Sequence, residues 1–329
     1  MATHDETRRG FLKKSAAGLA GVTMLSGGPA VAQKEQEKPK QKFIYRTLGK
    51  TGIKLPIVSM GARFDTPDRI GAALDAGIVH IDTANVYGRG RNEQAIGEAV
   101  KDRPRDSFVI GTKVYMNMDG KTGLYPKEAD TDLFLENFNA SMERLGLEYV
   151  EILYLHDVVR GESAVFEPYL DVMKKIKESG RAKFIGLSTH TNEPEVINAA
   201  IDSKAYDVIL TAYNFLQPHV AEVEKAIDRA AKAGIGIVAM KTQAGVYWDR
   251  ERTEQINMKA ALKWALNNPN VCTAIPGFAS FEEMEVDLSV MEDLTLTEQE
   301  KKDLKLGESG ERTGLFCPQC GQCLSLIHI

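Results

Sequence analysis

From residue 45 onward, short apolar runs alternate with longer stretches whose apolar positions recur at helical spacing, the pattern of strands joined by helical crossovers. Eight runs read as strands: 55–60, 78–82, 108–113, 152–156, 184–188, 208–213, 235–241 and 271–275. Between them, 131–145, 167–179, 220–233 and 258–267 read as amphipathic helices, with Gly146, Gly180 and Gly234 placed to cap helix ends. Eight strand–helix units in about 250 residues predict a single α/β domain, a closed (β/α)8 TIM barrel, with an open doubly wound sheet as the alternative. Such a barrel builds its active site at the carboxyl ends of its strands.

Four polar side chains fall at those ends. Asp82 and Tyr87 follow the second run, Lys113 closes the third, and His156 closes the fourth. Each alone has an ordinary structural explanation: a helix cap, a packed aromatic, a solvated strand end, a core imidazole. Gathered at one rim, an acid, a phenol, an amine and an imidazole can deliver a proton to a carbonyl oxygen while hydride reaches its carbon. A free phenol, with a pKa of about 10, is a poor acid near neutrality. An ammonium about 4 Å away favours its phenolate by about 4 kcal/mol at an effective dielectric near 20.

The motifs that carry these residues resemble the aldo-keto reductases. They are 77–88 (GIVHIDTANVYG) with Asn92 and Glu93, 111–113 (GTK), 144–156 (RLGLEYVEILYLH), the opening 47–53 (TLGKTGI) and the late 275–277 (IPG). The resemblance spans residues 45–306, taken as the barrel domain. It implies that Tyr87 donates the proton, that Lys113 and Asp82 tune it, and that His156 orients the substrate carbonyl. It also implies NADP(H), with NAD(H) as the alternative, lying across the later strands. Ser188 and Tyr213 would contact the nicotinamide, Tyr213 by stacking, and Lys241, Ile275, Gly277, Ser280 and Glu283 would line the rest of the cofactor site. No Gly-x-Gly-x-x-Gly follows an early strand, which argues against a Rossmann dehydrogenase.

Three positions depart from the family pattern. Thr189 follows Ser188 where many members carry asparagine, Leu210 stands where a glutamine is usual, and Glu283 occupies a place where NADPH-specific relatives often have arginine. Ser280 and Glu283 also read as a capping box opening a helix, whose N-terminus can receive phosphate. Tyr115, Met116 and Phe215 are expected to shape the substrate pocket. The alternative function is a nucleotide-binding, redox-sensing or regulatory barrel with little turnover.

The flanks carry different signals. Residues 7–13 (TRRGFLK), an Ala/Gly-rich apolar segment and 30–32 (AVA) predict a twin-arginine signal over 1–32, hence a periplasmic or otherwise exported protein that engages the twin-arginine export machinery. That apolar segment is too short and glycine-rich for a stable membrane span. A polar linker follows over 33–44. Residues 307–323 end in Cys317, Cys320 and Cys323, the Cys-x2-Cys-x2-Cys spacing of a bacterial ferredoxin loop. They read as a truncated tail that in a full-length protein would hold a 4Fe-4S cluster and serve an electron-transfer partner. Residues 324–329 read as a sequencing artefact.

Composition is that of an ordinary folded protein: of 329 residues, 43% are hydrophobic and 26% charged, with a net charge of -5. That balance supplies no broad basic field for nucleic acid. Cys272, inside an apolar run, reads as a small core residue.

Overall fold

The computed structural model describes residues 43–62, 65–245, 247–249 and 251–306. The arginine pair, the apolar segment, nearly all of the linker, the three clustered cysteines and residues 324–329 lie outside them.

Eight parallel strands run in sequence order around the sheet: β3 (Met60–Gly61), β4 (His80–Asp82), β5 (Val109–Val114), β6 (Val150–Leu155), β7 (Ala182–Thr189), β8 (Val208–Ala212), β9 (Gly236–Met240) and β10 (Thr273–Ala274). A parallel bridge between Val58 and Ala274 joins the two edges. That bridge makes the sheet a nearly closed (β/α)8 barrel and removes the open doubly wound alternative.

The crossovers are helical: α1 (Pro67–Asp75), α2 (Arg91–Val100), α3 (Thr131–Leu145), α4 (Gly161–Ala164), α5 (Glu167–Glu178), α6 (Glu193–Ser203), α7 (Val220–Lys232) and α8 (Met258–Leu266). Two more, α9 (Phe281–Leu288) and α10 (Glu298–Asp303), follow the last strand. Local chemistry sets their ends. Asp130 accepts from the Leu133 amide to open α3, and Gly146, at φ 65°, closes it.

The period-2 alternation of the strands sorts the core into two layers. Val208 and Leu210 of β8 pack inside the barrel with Ile152, Tyr154 and Val238. Ile209 and Tyr213 face outward into the layer between sheet and helices.

The amino-terminal mouth is plugged by an antiparallel hairpin of β1 (Tyr45–Thr47) and β2 (Lys54–Pro56). Its Leu48 and Leu55 are wholly buried against the interior cluster, each worth about 1.5–3 kcal/mol by transfer. Gly49, at φ 52°, seats the hairpin flush: a Cβ there would lie 2.4 Å from the Gly236 amide nitrogen.

The first expected strand, 55–60, is therefore divided. Leu55 and Pro56 belong to the hairpin and the barrel strand begins at Met60, because the chain changes partners at Ile57. Its amide bonds the Ile44 carbonyl, and its own carbonyl accepts from Ala274. The other seven runs overlap barrel strands. Among the described residues, no helix is long and apolar enough to cross a membrane.

Candidate active site

Asp82, Tyr87 and Lys113 meet at the carboxyl ends of β4 and β5. Strand register places Asp82 beside Gly111, so the inward-facing Lys113, two residues on, reaches across to it. The Lys113 ammonium donates to Asp82 Oδ1 and to the Thr83 carbonyl oxygen (2.7 Å), and lies 3.5 Å from the Tyr87 hydroxyl. Asp82 and Lys113 are both 1% exposed. Tyr87 enters on a single turn (Tyr87–Gly90) held by glycines at positive φ.

Burial opposes the charge on Lys113, but Asp82 and then Tyr87 outweigh it, and its pKa lies above the ordinary lysine value. Burial likewise raises the Asp82 carboxyl, against the pull of Lys113. The amine therefore keeps its proton to higher pH than an ordinary lysine, while burial makes the carboxyl easier to protonate on the acid side.

His156 lies one residue past β6, with its amide bonded to the Val114 carbonyl (3.0 Å). Its ring stands edge-on to Tyr87, centroids 5.7 Å apart, and edge-on to Tyr115 at 5.9 Å. The four candidate residues thus form one contiguous cluster, Asp82 to Lys113 to Tyr87 to His156.

The sequence pattern of the Aldo/keto reductase family matches residues 63–260. The chain belongs to that family. An aldo-keto reductase from Mycobacterium sp. (strain KMS) is 29% identical over 279 residues, covering 80% of this chain and 93% of the relative. An L-glyceraldehyde 3-phosphate reductase from Escherichia coli O157:H7 is 24% identical over 315 residues, covering 78% and 90%. Among solved structures, an aldo-keto reductase from Bacillus halodurans in its holo form shares the fold at a TM-score of 0.65 and 21% identity, covering 80% of this chain and 96% of that one. The chain is an oxidoreductase.

The reductase brings several of the other expected residues to the same rim. Ser188, at the end of β7, is buried, and its hydroxyl accepts from the Asp157 amide (2.9 Å). Lys241 follows β9 at φ 56° and is exposed. Ile275 lies in the interior cluster, and Gly277 is exposed just beyond it. Ser280 caps α9 by accepting from the Glu283 amide (3.2 Å). Glu283 reaches back one residue further than a standard capping box, accepting from the Ala279 amide (2.7 Å).

Tyr213 is a correction. Its ring is 2% exposed, packs on Trp264 (centroids 5.0 Å apart) and donates its hydroxyl to Glu224 of α7 (2.8 Å). Strand alternation sends it into the helix layer with Ile209, away from the rim, so it is not a stacking partner for a ligand in the mouth. Of the pocket candidates, Tyr115 is half-buried beside His156. Met116 packs toward Asn137 of α3, and Phe215 against Trp248 and Trp264, so neither is an open pocket wall.

Two residues of this rim escaped sequence reasoning. Asp157 adopts φ 60° and is buried, within 2.8 Å of His190 Nε2. Burial raises its carboxyl, but His190, then His156 and Lys241, outweigh that and leave it below the ordinary range. A non-glycine residue held at positive φ directly after His156 is the kind of strain that collects at functional sites. Only the His156–Asp157 adjacency was visible in the sequence.

Proposed function

We propose that this reductase converts an aldehyde or ketone to the alcohol, with Tyr87 giving the proton and a nicotinamide nucleotide bound along the carboxyl ends of β7–β10. One observation carries the reading: a buried ammonium, fixed by Asp82, lies 3.5 Å from the Tyr87 hydroxyl. When bound, a reduced nicotinamide would supply hydride for the carbonyl carbon. His156 donates a hydrogen bond that holds the carbonyl oxygen, and Tyr87 transfers its proton to that oxygen. The phenolate left behind is stabilised by Lys113, worth about 4 kcal/mol at an effective dielectric near 20. Asp82 keeps the amine in place and charged. The name of the Escherichia coli relative, a reductase of an aldehyde phosphate, supports the direction.

The residues assigned to a dinucleotide, Ser188, Lys241, Gly277 and Ser280, lie at or past the carboxyl ends of β7, β9 and β10, which supports a binding line along that rim. At the start of α9, however, the Ala279 amide is already taken by the Glu283 carboxylate, which would repel an additional phosphate. That contact favours NAD(H) over NADP(H). Titration of nicotinamide fluorescence with both nucleotides tests it, and tighter NADPH binding would reverse the assignment.

For the chemistry, Tyr87→Phe should leave nucleotide affinity within about twofold while lowering turnover of an aromatic aldehyde by roughly 10²–10⁴, the range of general acid catalysis. Unchanged turnover would remove Tyr87 from the mechanism. Nucleotide retained without oxidation across a broad carbonyl panel would favour the regulatory reading instead. Export and an iron–sulfur cluster on Cys317, Cys320 and Cys323 rest on sequence alone.

A further inference from the structure

Beneath the rim, inside the barrel, Asp82 meets two polar side chains that the proposed reaction does not use, His80 and Tyr154. Gly111 of β5 leaves the space: a Cβ built on it would lie 3.0 Å from a ring carbon of Tyr154, 3.3 Å from His80 Nε2 and 3.5 Å from Asp82 Oδ2. His80 and Asp82 stand two residues apart on β4 and so share a face. Tyr154 comes from β6, in register with Lys113.

All three are essentially inaccessible, His80 and Tyr154 at 0% and Asp82 at 1%. Yet both ring nitrogens of His80, the Tyr154 hydroxyl and Asp82 Oδ2 lack a hydrogen-bonding partner within the protein. Buried polar atoms are nearly always paired, by protein or by ordered water. Four orphans around one glycine, one of them on the carboxylate that grips Lys113, mark a polar nest.

We propose that His80 and Tyr154 are positioning residues of the reductase, donating hydrogen bonds to Asp82 Oδ2 through one shared buried water, and so keeping Asp82 ionised and Lys113 charged. The proposal rests on the reductase mechanism above. The groups packed about the Asp82–Lys113 pair are His80 from β4, Tyr154 from β6 and, against Lys113, Tyr87 from the turn after β4, with Cys272 near Tyr154. Of these, His80 and Tyr154 are suited to the task because neither changes charge while the enzyme works. Burial, reinforced by Lys113, pushes the His80 imidazole down to about 3, so it stays neutral and keeps one N–H. Burial and then Asp82 hold the Tyr154 phenol well above its ordinary value, so it keeps its proton. Both can offer hydrogen to a carboxylate, and neither can neutralise it by proton exchange near neutrality. A carboxylate that accepts hydrogen bonds stays ionised to lower pH, and one deprived of them protonates sooner.

The test compares kcat against pH for full-length wild type and the variants His80→Leu, His80→Gln and Tyr154→Phe, with an aromatic aldehyde as substrate. His80→Leu and Tyr154→Phe should lower kcat about tenfold at pH 7 and move the acid limb up by about one pH unit. Nucleotide affinity should stay within about twofold. His80→Gln, which restores a donor, should recover most of both losses. Superimposable profiles in folded variants overturn the proposal. If His80→Leu fails to fold, Tyr154→Phe, which deletes a single oxygen, decides it.

A second arm reads no turnover: ring-¹⁵N NMR of the wild type. One slowly exchanging imidazole N–H, absent from His80→Gln and neutral from pH 8 to pH 4, is expected. A His80 ring that titrates near its unperturbed value of about 6.5 overturns the proposal. Wild type lacking all carbonyl reduction would sink the reductase mechanism while leaving this NMR result to be read.

Discussion

Two buried carboxylates flank β5, and they are satisfied very differently. Glu93, on α2, is wholly buried and saturated: Oε1 accepts from Thr112 (2.6 Å), and Oε2 accepts from Arg144 through Nε (2.8 Å), with Nη2 at 2.6 Å. Asp82 is equally buried, but Lys113 grips only one of its oxygens. A saturated pair has nothing left to offer and serves as scaffold. A pair gripped through one oxygen leaves the other to accept the hydrogen bonds of the nest, so its charge can be tuned for chemistry. The scaffold pair also supports the chemical one. Gly90 ends the turn that bears Tyr87, and a Cβ there would come within 2.6 Å of Arg144 Cδ, so Arg144 braces that turn from behind.

Removing each cation should therefore give opposite signatures. Lys113→Met should lower turnover by roughly 10²–10⁴, yet cost little stability, because the deserted Asp82, already raised by burial, can protonate. Arg144→Met should cost about 3–5 kcal/mol of stability, the usual penalty for stranding a buried charge, with turnover per folded molecule falling far less. Denaturant melts beside steady-state rates check both. If Lys113→Met proves the less stable variant and Arg144→Met the slower, the division between scaffold and chemistry fails.

A third buried carboxyl sharpens the contrast, with no cation paired to it among the described residues. Asp287 on α9 is 1% exposed, and Gln243 Nε2 lies 3.2 Å from each of its oxygens. Burial first, with Glu283 adding repulsion, pushes it up to about 8 from an ordinary 3.8. A folded pKa above the unfolded one gives stability that is complete below about pH 3.8 and is lost as pH rises toward about 8. Asp287→Asn keeps the shape without the charge. It should leave stability nearly unchanged at pH 4 and raise it by about 2–4 kcal/mol at pH 7–8. Melting curves at the two pH values decide it, and equal shifts at both would show that Asp287 is not protonated on folding.

Much of this was legible in the chain. Apolar runs and helical spacing announced eight strand–helix units because each strand is buried on both faces and each helix on one. The positions of Asp82, Lys113 and His156 at strand ends then put them at one rim. The hairpin was not legible, since 55–60 (LPIVSM) reads as one mostly apolar run and only the change of partners at Ile57 divides it. Tyr213 was misread for a different reason: the resemblance gave it the stacking role, whereas it stands three positions past Leu210, which points into the barrel, so strand alternation turns its ring outward. Asp157 and the nest around Gly111 could not be read at all. Each depends on residues from separate strands, or on a backbone angle, that no linear pattern encodes.

Cys272 gives the smallest effect and the finest version of the comparison. It too is a buried ionisable group with a cation nearby, but Arg46 donates its guanidinium to the Leu266 and Asn268 carbonyls of the α8 end instead (2.8 and 3.0 Å). The thiol is left to donate to the Arg46 carbonyl at 3.4 Å. Burial pushes its pKa up to about 12, with Arg46 offsetting only part of the shift. A cation close by but committed elsewhere thus fails to do for Cys272 what Lys113, in direct contact, does for Asp82. Iodoacetamide labelling at pH 8, read from the peptide containing Cys272, should run at least roughly 100-fold slower in folded protein than in urea, since the thiolate is the reacting species. Comparable rates would mean that Arg46 does stabilise the thiolate, and that direct contact is not what separates the site pair from its surroundings.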